Sequence, residues 1–308
     1  MTTIVTNCSK RKRIIPDARL LAGSLAPGSL DEVTREWVRR VASSGAQIEA
    51  GQLYSGRQFR ESVQASIALG ATILIVSAGL GVLQPSDLVP SYSLTVAPGA
   101  SDGILGKVTD QANAGDWWHA ITRRFRSLDA TILDDPAGLI LIALPSPYLS
   151  MIEHEIEQFS PERLSRTRIF TGQSFRFRAA RLDHHLMPYD ARLDGPNSPV
   201  PGTATDFASR ALRDFATAVL PLAPDATPEK HAAAVLSRIE QWGFAVRPQR
   251  RRQSDADLLD IIRASWGDAG GSASQMLRWL RAELGLACEQ GRMRNLHAAV
   301  RKDMEKTS

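Results

Sequence analysis

Three short runs of β-branched and aliphatic residues constrain what this chain can fold into: Thr3-Ile4-Val5-Thr6, Thr72-Ile73-Leu74-Ile75-Val76 and Leu139-Ile140-Leu141-Ile142-Ala143. Each is short and almost unbroken in its apolar character, which predicts a strand buried on both faces. Segments of helical period lie between them, with Val33, Trp37, Val38 and Val41 in one and Phe59, Val63 and Ile67 in another. Buried strands alternating with amphipathic helices predict an α/β domain with a mainly parallel sheet flanked by helices. A further strand is expected around Arg168-Ile169-Phe170. In open sheets of this kind, ligands bind beyond the carboxyl ends of the strands. The segments leaving the three runs read Asn7-Cys8-Ser9-Lys10, Ser77-Ala78-Gly79-Leu80-Gly81 and Pro145-Ser146-Pro147-Tyr148, and they are expected to emerge on one edge.

Several function classes are disfavoured. No apolar run approaches the ~20 residues of a membrane span. The opening MTTIVTNCSKRKR places its apolar stretch before its charges, unlike a secretory signal, so a cytoplasmic protein without membrane partners is expected. Cys8 and Cys288 are the only cysteines and lack CxxC spacing, which argues against a disulfide scaffold and a zinc site. His184 and His185, beside Asp183, point apart on any regular element and have no suitably spaced third ligand, so no metal is expected. The chain lacks GxGxxG and GKS/GKT, which disfavours nucleoside triphosphates, and no organic cofactor is implied.

Charge divides unevenly along the chain. Residues 1–228 hold 23 Lys/Arg against 23 Asp/Glu, whereas residues 229–308 hold 14 against 10, the whole of the formal +4. The turn-rich stretch Pro221–Pro228 predicts a boundary between an α/β domain, 1–222, and a helical module, 229–308. Helices are expected near 229–242 and 255–266, with Arg250-Arg251-Arg252 between them. Residues 273–302 read as two helices joined by a tight turn at Gly285. Met276, Leu277, Leu280 and Leu284 face inward on the first, and Met293, Leu296 and Val300 on the second. Gln290, Arg292, Arg294, His297 and Arg301 then face outward, a helix-turn-helix pattern able to meet base edges and phosphates. The alternative is a plain helical hairpin whose arginines are solvated.

Within the α/β domain, Asn7 at a strand end can hold a water or a carbonyl, or simply cap the strand. Cys8 reads as structural: a cysteine phosphatase loop needs an arginine six positions on, and residue 14 is Ile. The run Lys10-Arg11-Lys12-Arg13 is either a phosphate-gripping or a solvated loop. The proline-stiffened segment Gln84–Tyr92 offers Tyr92 for stacking and Asp87 as an acid/base group or a turn residue. Ser146 is placed as a helix N-cap with Pro147 at the first helical position, where backbone N–H groups can meet an anion.

The series Thr6-Asn7-Cys8-Ser9-Lys10-Arg11-Lys12, Leu53-Tyr54-Ser55-Gly56-Arg57, Ser77-Ala78-Gly79-Leu80-Gly81-Val82-Leu83 and Pro90-Ser91-Tyr92 resembles the DUF6884 and peroxide-stress YaaA-like group. That group looks related to uracil-DNA-glycosylase-like domains. Leu144-Pro145-Ser146-Pro147-Tyr148 is similar to the HPSP loop of uracil-DNA glycosylases, with Leu144 in place of the histidine. The resemblance spans roughly residues 2–178. With the C-terminal module it is most similar to a bacterial antiphage DNA glycosylase that removes α-glucosylated 5-hydroxymethylcytosine.

The resemblance implies a fold like uracil-DNA glycosylase and cleavage of an N-glycosidic bond after base flipping. Double-stranded DNA with modified bases is the implied partner, and no obligate protein partner is implied. Asn7 would position the attacking water, helped by Asp87. Tyr54, Ser77 and Tyr92 would hold the base. Ser9, Lys10, Lys12, Arg57, Ser146 and Tyr148 would hold phosphates, joined by Gln290, Arg292, Arg294 and Arg301 from the helical module. Attack by Lys10 on the sugar would instead lead to strand cleavage, but its basic neighbours favour phosphate contact. A non-catalytic DNA-binding regulator with a ligand-sensing α/β domain is the alternative.

Overall fold

A computed structural model describes residues 1–45, 48–132, 138–245, 249–269 and 271–307. The chain divides into two compact units, Met1–Ala245 and Val246–Ser308.

The first unit is α/β. Its five-stranded sheet contains β1 (Thr3–Asn7), β2 (Thr72–Ser77), β3 (Gly81–Leu83), β4 (Ile140–Ala143) and β5 (Thr167–Phe170), in the spatial order β3-β2-β1-β4-β5. All neighbours are parallel except β2 and β3. The three sequence runs are the three central strands, and they are buried almost throughout, as sheets covered on both faces require.

The helices that position the centre are α1 (Leu30–Ala42), α2 (Arg57–Leu69), α3 (Ala114–Thr122), α4 (Ser146–Glu157), α5 (Phe207–Asp214) and α6 (Pro228–Glu240). α2 packs with α5 and touches β1, while α3 packs with α1, α4 and β3. A hydroxyl ladder ties one side together: Thr6 Oγ1 lies 2.9 Å from Ser62 Oγ, which donates to Ser209 Oγ at 3.1 Å. Among the described residues, no helix is long and apolar enough to cross a membrane.

The boundary falls later than Pro221–Pro228. α6 belongs to the first unit because His231, Val235 and Ile239 bury their side chains there. Arg168 on β5 donates to His231 Nδ1 at 2.9 Å, and Arg238 reaches Asp214 at 2.8 Å. Ile67, by contrast, faces solvent on α2.

The second unit has its own core. It holds β6 (Arg251–Arg252), α7 (Asp255–Ala264), α8 (Ala273–Ala282), β7 (Leu286–Ala287) and α9 (Gln290–Thr307). Leu258, Ile262, Met276, Leu280, Met293 and Val300 form its fully buried centre. Gly285 adopts φ +58° after α8. The connection to α9 is longer than a tight turn, because it holds β7, which pairs in parallel with β6.

Candidate functional site

The order of the sheet places a topological switch point between β1 and β4. From β1 the chain moves to β2 on one side, and from the adjacent β4 it moves to β5 on the other. Where two neighbouring parallel strands send their connections in opposite directions, their carboxyl ends flank an opening. Asn7 and Cys8 leave β1 there, and Tyr148 leaves β4 on the first turn of α4. Cys8 Sγ and the Tyr148 hydroxyl are 3.6 Å apart, and that hydroxyl is 3.3 Å from Thr95 Oγ1.

Two more tyrosines complete the centre. Tyr92 OH lies 2.5 Å from Ser77 Oγ and 3.0 Å from Tyr54 OH. Ser77 Oγ also accepts from the N–H groups of Gly79 (3.2 Å) and Leu80 (3.0 Å). A hydroxyl has two lone pairs and one hydrogen, so Ser77 must donate to Tyr92, whose hydroxyl also shares a hydrogen bond with that of Tyr54. All three tyrosines and Cys8 are buried. Burial, and then the Cys8 thiol beside them, pushes the three phenols well above their ordinary value, so they stay protonated donors at neutral pH.

Ser77 therefore has no valence left for a base, and its role is to fix Tyr92. The turn after it is equally occupied. Trp117 Nε1 donates to Ala78 O and Trp37 Nε1 to Gly79 O, each at 2.7 Å. The glycines here permit close packing: a Cβ on Gly79 would stand 2.9 Å from the Tyr92 ring. Trp117, Thr95 and Gln58 are members of the centre that sequence patterning does not single out, and Trp37 enters there only as a residue of the helical period.

Asn7 is buried with both ends of its amide engaged. Nδ2 donates to Cys8 O at 2.9 Å and Oδ1 accepts from Gln58 Nε2, leaving one N–H and one lone pair. Asp87 is not with it. Its carboxylate pairs with Arg126 and accepts from Gln84 N at 2.6 Å, so Asp87 closes a turn beyond β3.

The basic loop is held as a short ribbon against residues 53–55, with Arg13 N donating to Leu53 O (3.0 Å) and Ser55 N to Arg11 O (3.1 Å). Ser9 is spent on this fastening, donating to Arg11 O and accepting from Gly56 N. Lys10 is exposed, 3.6 Å from Asp102. Lys12 is half-buried, its Nζ 4.4 Å from the centroid of the Tyr92 ring and 5.8 Å from that of Tyr54. Burial lowers its pKa, with Cys8 and Asp102 opposing the shift.

Three other expected phosphate ligands have different surroundings. Arg57 pairs with Glu61 and Asp206, each at 3.3 Å, and donates to Pro201 O, so it is committed to joining α2 to α5. Ser146 is the first residue of α4, the N-cap being Pro145, and its hydroxyl caps nothing. Tyr148 is buried in the centre and is no surface contact. A separate cleft of 1010 Å³ along α1, α3 and α4, lined by Thr34, Trp118 and Arg123 among others, shares no residue with the tyrosine centre.

In the second unit Gln290, Arg294 and Arg301 are exposed on α9, Arg301 lying 3.7 Å from Glu305. Arg251 and Arg252 are exposed on β6. Arg292 is tied down, donating to Asp255 (2.6 Å) and Gln253 O (2.9 Å). His297 turns inward and stacks on Trp266 with centroids 4.6 Å apart, while Leu284 is exposed. Leu284 lies beyond the end of α8 at Ala282, so the helical period does not reach it, and His297, four residues after Met293, falls on the buried face of α9 with Leu296 and Val300.

The chain matches no protein-family model, no curated protein and no solved structure.

Proposed function

We propose that this chain is a DNA glycosylase that flips a modified nucleotide out of double-stranded DNA and hydrolyses its N-glycosidic bond. The carrying observation is the meeting of Cys8 and Tyr148, 3.6 Å apart, at the point where the sheet's connections diverge. Around it stand the protonated phenols of Tyr54, Tyr92 and Tyr148 and the basic loop Lys10–Arg13. Breaking the bond develops oxocarbenium character on the sugar and negative charge on the departing base. Phenolic donors in a water-poor setting stabilise such a charge, a role that the histidine replaced by Leu144 would otherwise fill. Asn7 uses its remaining N–H and lone pair to orient the water. Lys10 contacts phosphate, and Gln290, Arg294 and Arg301 with β6 contribute duplex affinity in the manner of a helix-turn-helix.

The resemblance of the strand-end series extends the proposal to the α-glucosylated 5-hydroxymethylcytosine of phage DNA, whose removal leaves abasic sites as an antiphage defence in the cytoplasm. A fold of the uracil-DNA-glycosylase type is part of the same proposal. The test is release of free base from duplexes carrying α-glucosyl-5-hydroxymethylcytosine, uracil or cytosine, with alkali-labile sites scored alongside. Release from the first substrate that falls at least tenfold in Asn7→Ala supports the proposal. No release from any duplex overturns it.

One observation favours a second reading, a DNA-binding regulator whose α/β unit senses a ligand. Ser77 and Tyr92 are bonded to each other, and the amide of Asn7 to Cys8 O and the Gln58 side chain, which suits a closed sensor. Footprints on a defined duplex without base release from any substrate would select it.

A further inference from the structure

The chain contains six lysines and 31 arginines, and two of the six lysines lie in the loop leaving β1. Arginine is in effect always charged. Only lysine can shed its proton and attack carbon. Lys12 sits where that ability matters. Its Nζ is over the Tyr92 ring at 4.4 Å, makes a hydrogen bond to Ser9 O at 3.2 Å, and has no carboxylate within ion-pair distance among the described residues. Its backbone pairs with Tyr54, so the amine is presented by a fastened loop. Burial favours the neutral amine. The second observation is Asp102: its Oδ1 is buried with no hydrogen bond, its Oδ2 accepts from Ser93 at 2.9 Å, and Lys10 stands 3.6 Å away.

We propose that Lys12 forms an imine with the sugar of an abasic site and cleaves the DNA strand there, with Asp102 as the base that takes the sugar proton. The inference rests on the reading that a flipped nucleotide enters this centre. Once the base has left, the abasic sugar opens to an aldehyde at C1′. The Lys12 amine adds to C1′, and water departs to leave a C=N bond. Asp102 then removes a proton from C2′, the C2′–H electron pair forms a C=C bond with C3′, and the C3′–O bond breaks with its pair going to the phosphate. Water hydrolyses the imine, returning the amine and leaving an unsaturated aldehyde on the 3′ end. No oxidant or reductant is consumed, and water lost in the first step is regained in the last.

The test uses the full chain and a duplex with one preformed abasic site, so it does not depend on base excision. Borohydride, which reduces an imine to a stable secondary amine, should trap a covalent protein–DNA species that peptide mass mapping assigns to Lys12. Lys12→Arg, which keeps the charge but cannot form an imine, should lower trapping at least a hundredfold, while Lys230→Ala on α6 leaves it unchanged. Asp102→Asn should retain trapping and lose strand cleavage without borohydride. Mapping on the unmodified chain decides the matter even if a variant misfolds. Absence of a trapped species, its assignment to another amine, or its persistence in Lys12→Arg overturns the proposal. Base release without trapping would leave the glycosylase standing and remove the lyase, and trapping without base release would do the reverse.

Discussion

The Cys8 thiol and the Tyr148 hydroxyl, 140 positions apart in sequence, lie 3.6 Å from each other because their strands are neighbours whose chains depart in opposite directions. That junction organises a chain of hydroxyls running from Ser77 through Tyr92 to Tyr54. The middle member should matter most. Tyr92→Phe removes the partner of the buried Ser77 hydrogen and of the Tyr54 hydroxyl together and should cost about 2–3 kcal/mol, whereas Tyr54→Phe, at the chain's end, should cost about 1 kcal/mol. Urea-unfolding midpoints give both values. Equal costs would mean that Tyr92 is not the shared member of the chain.

Close packing at the turn after β2 gives a second expectation. In Gly79→Ala the new methyl would stand 2.9 Å from Tyr92 Cε2 and 3.1 Å from Trp37 Cζ2, two rings that are themselves fixed. Overpacking of that kind should cost about 1–3 kcal/mol. Gly106→Ala, with nothing within 4 Å of its added carbon, serves as the comparison and should change stability by less than about 0.5 kcal/mol. Thermal unfolding of the two variants side by side checks the contrast.

The strands were legible because burial on both faces demands unbroken apolar runs, and β5 was legible despite Arg168 because its neighbours are apolar. The parallel order and the shared carboxyl edge followed from the same alternation. What escaped was the use of each polar atom. Ser9, Ser77 and Arg57 carry the right chemistry in suggestive positions, yet their hydrogen bonds are satisfied within the fold, and only three-dimensional accounting reveals that. Lys10 and Lys12 are nearly indistinguishable in sequence, while in space one is exposed and the other lies across an aromatic ring. Asp102 lies in a Gly/Ser-rich stretch that has no period to betray it.

The second unit should contribute affinity through charge. Arg251, Arg252 and Arg294 are exposed, while Arg292 is bonded internally. If the first three meet phosphates, replacing any one by Ala should lower duplex affinity for all sequences alike and reduce the slope of log K against log salt by about 0.9. Arg292→Ala should instead act on folding, since it removes the link from α9 to Asp255. Fluorescence anisotropy across a salt series separates the two behaviours, and an unchanged slope in all three exposed variants would place the contact surface elsewhere.

The last expectation concerns pH and the joint between β5 and α6. Arg168 is buried, and burial pushes its guanidinium down to about 10, still charged at neutral pH. Its Nε donates to His231 Nδ1, so that nitrogen must be unprotonated and the ring's hydrogen sits on Nε2, 2.8 Å from Ala223 O. Burial lowers the His231 pKa below its ordinary 6.5, and Arg168 lowers it further against the opposing Ala223 bond. As pH falls through 6.5 the unfolded chain takes up the proton first. Stability is therefore full above that value and is lost as pH falls toward the depressed folded pKa, at no more than about 1.4 kcal/mol per unit for this one group. His231→Asn keeps an acceptor for Arg168 but cannot titrate. It should be less stable than the parent chain at pH 7.5, and the gap should narrow at pH 5.5, because carboxylate contributions are common to both and cancel. A gap that stays constant between the two pH values would mean that His231 does not couple folding to protons.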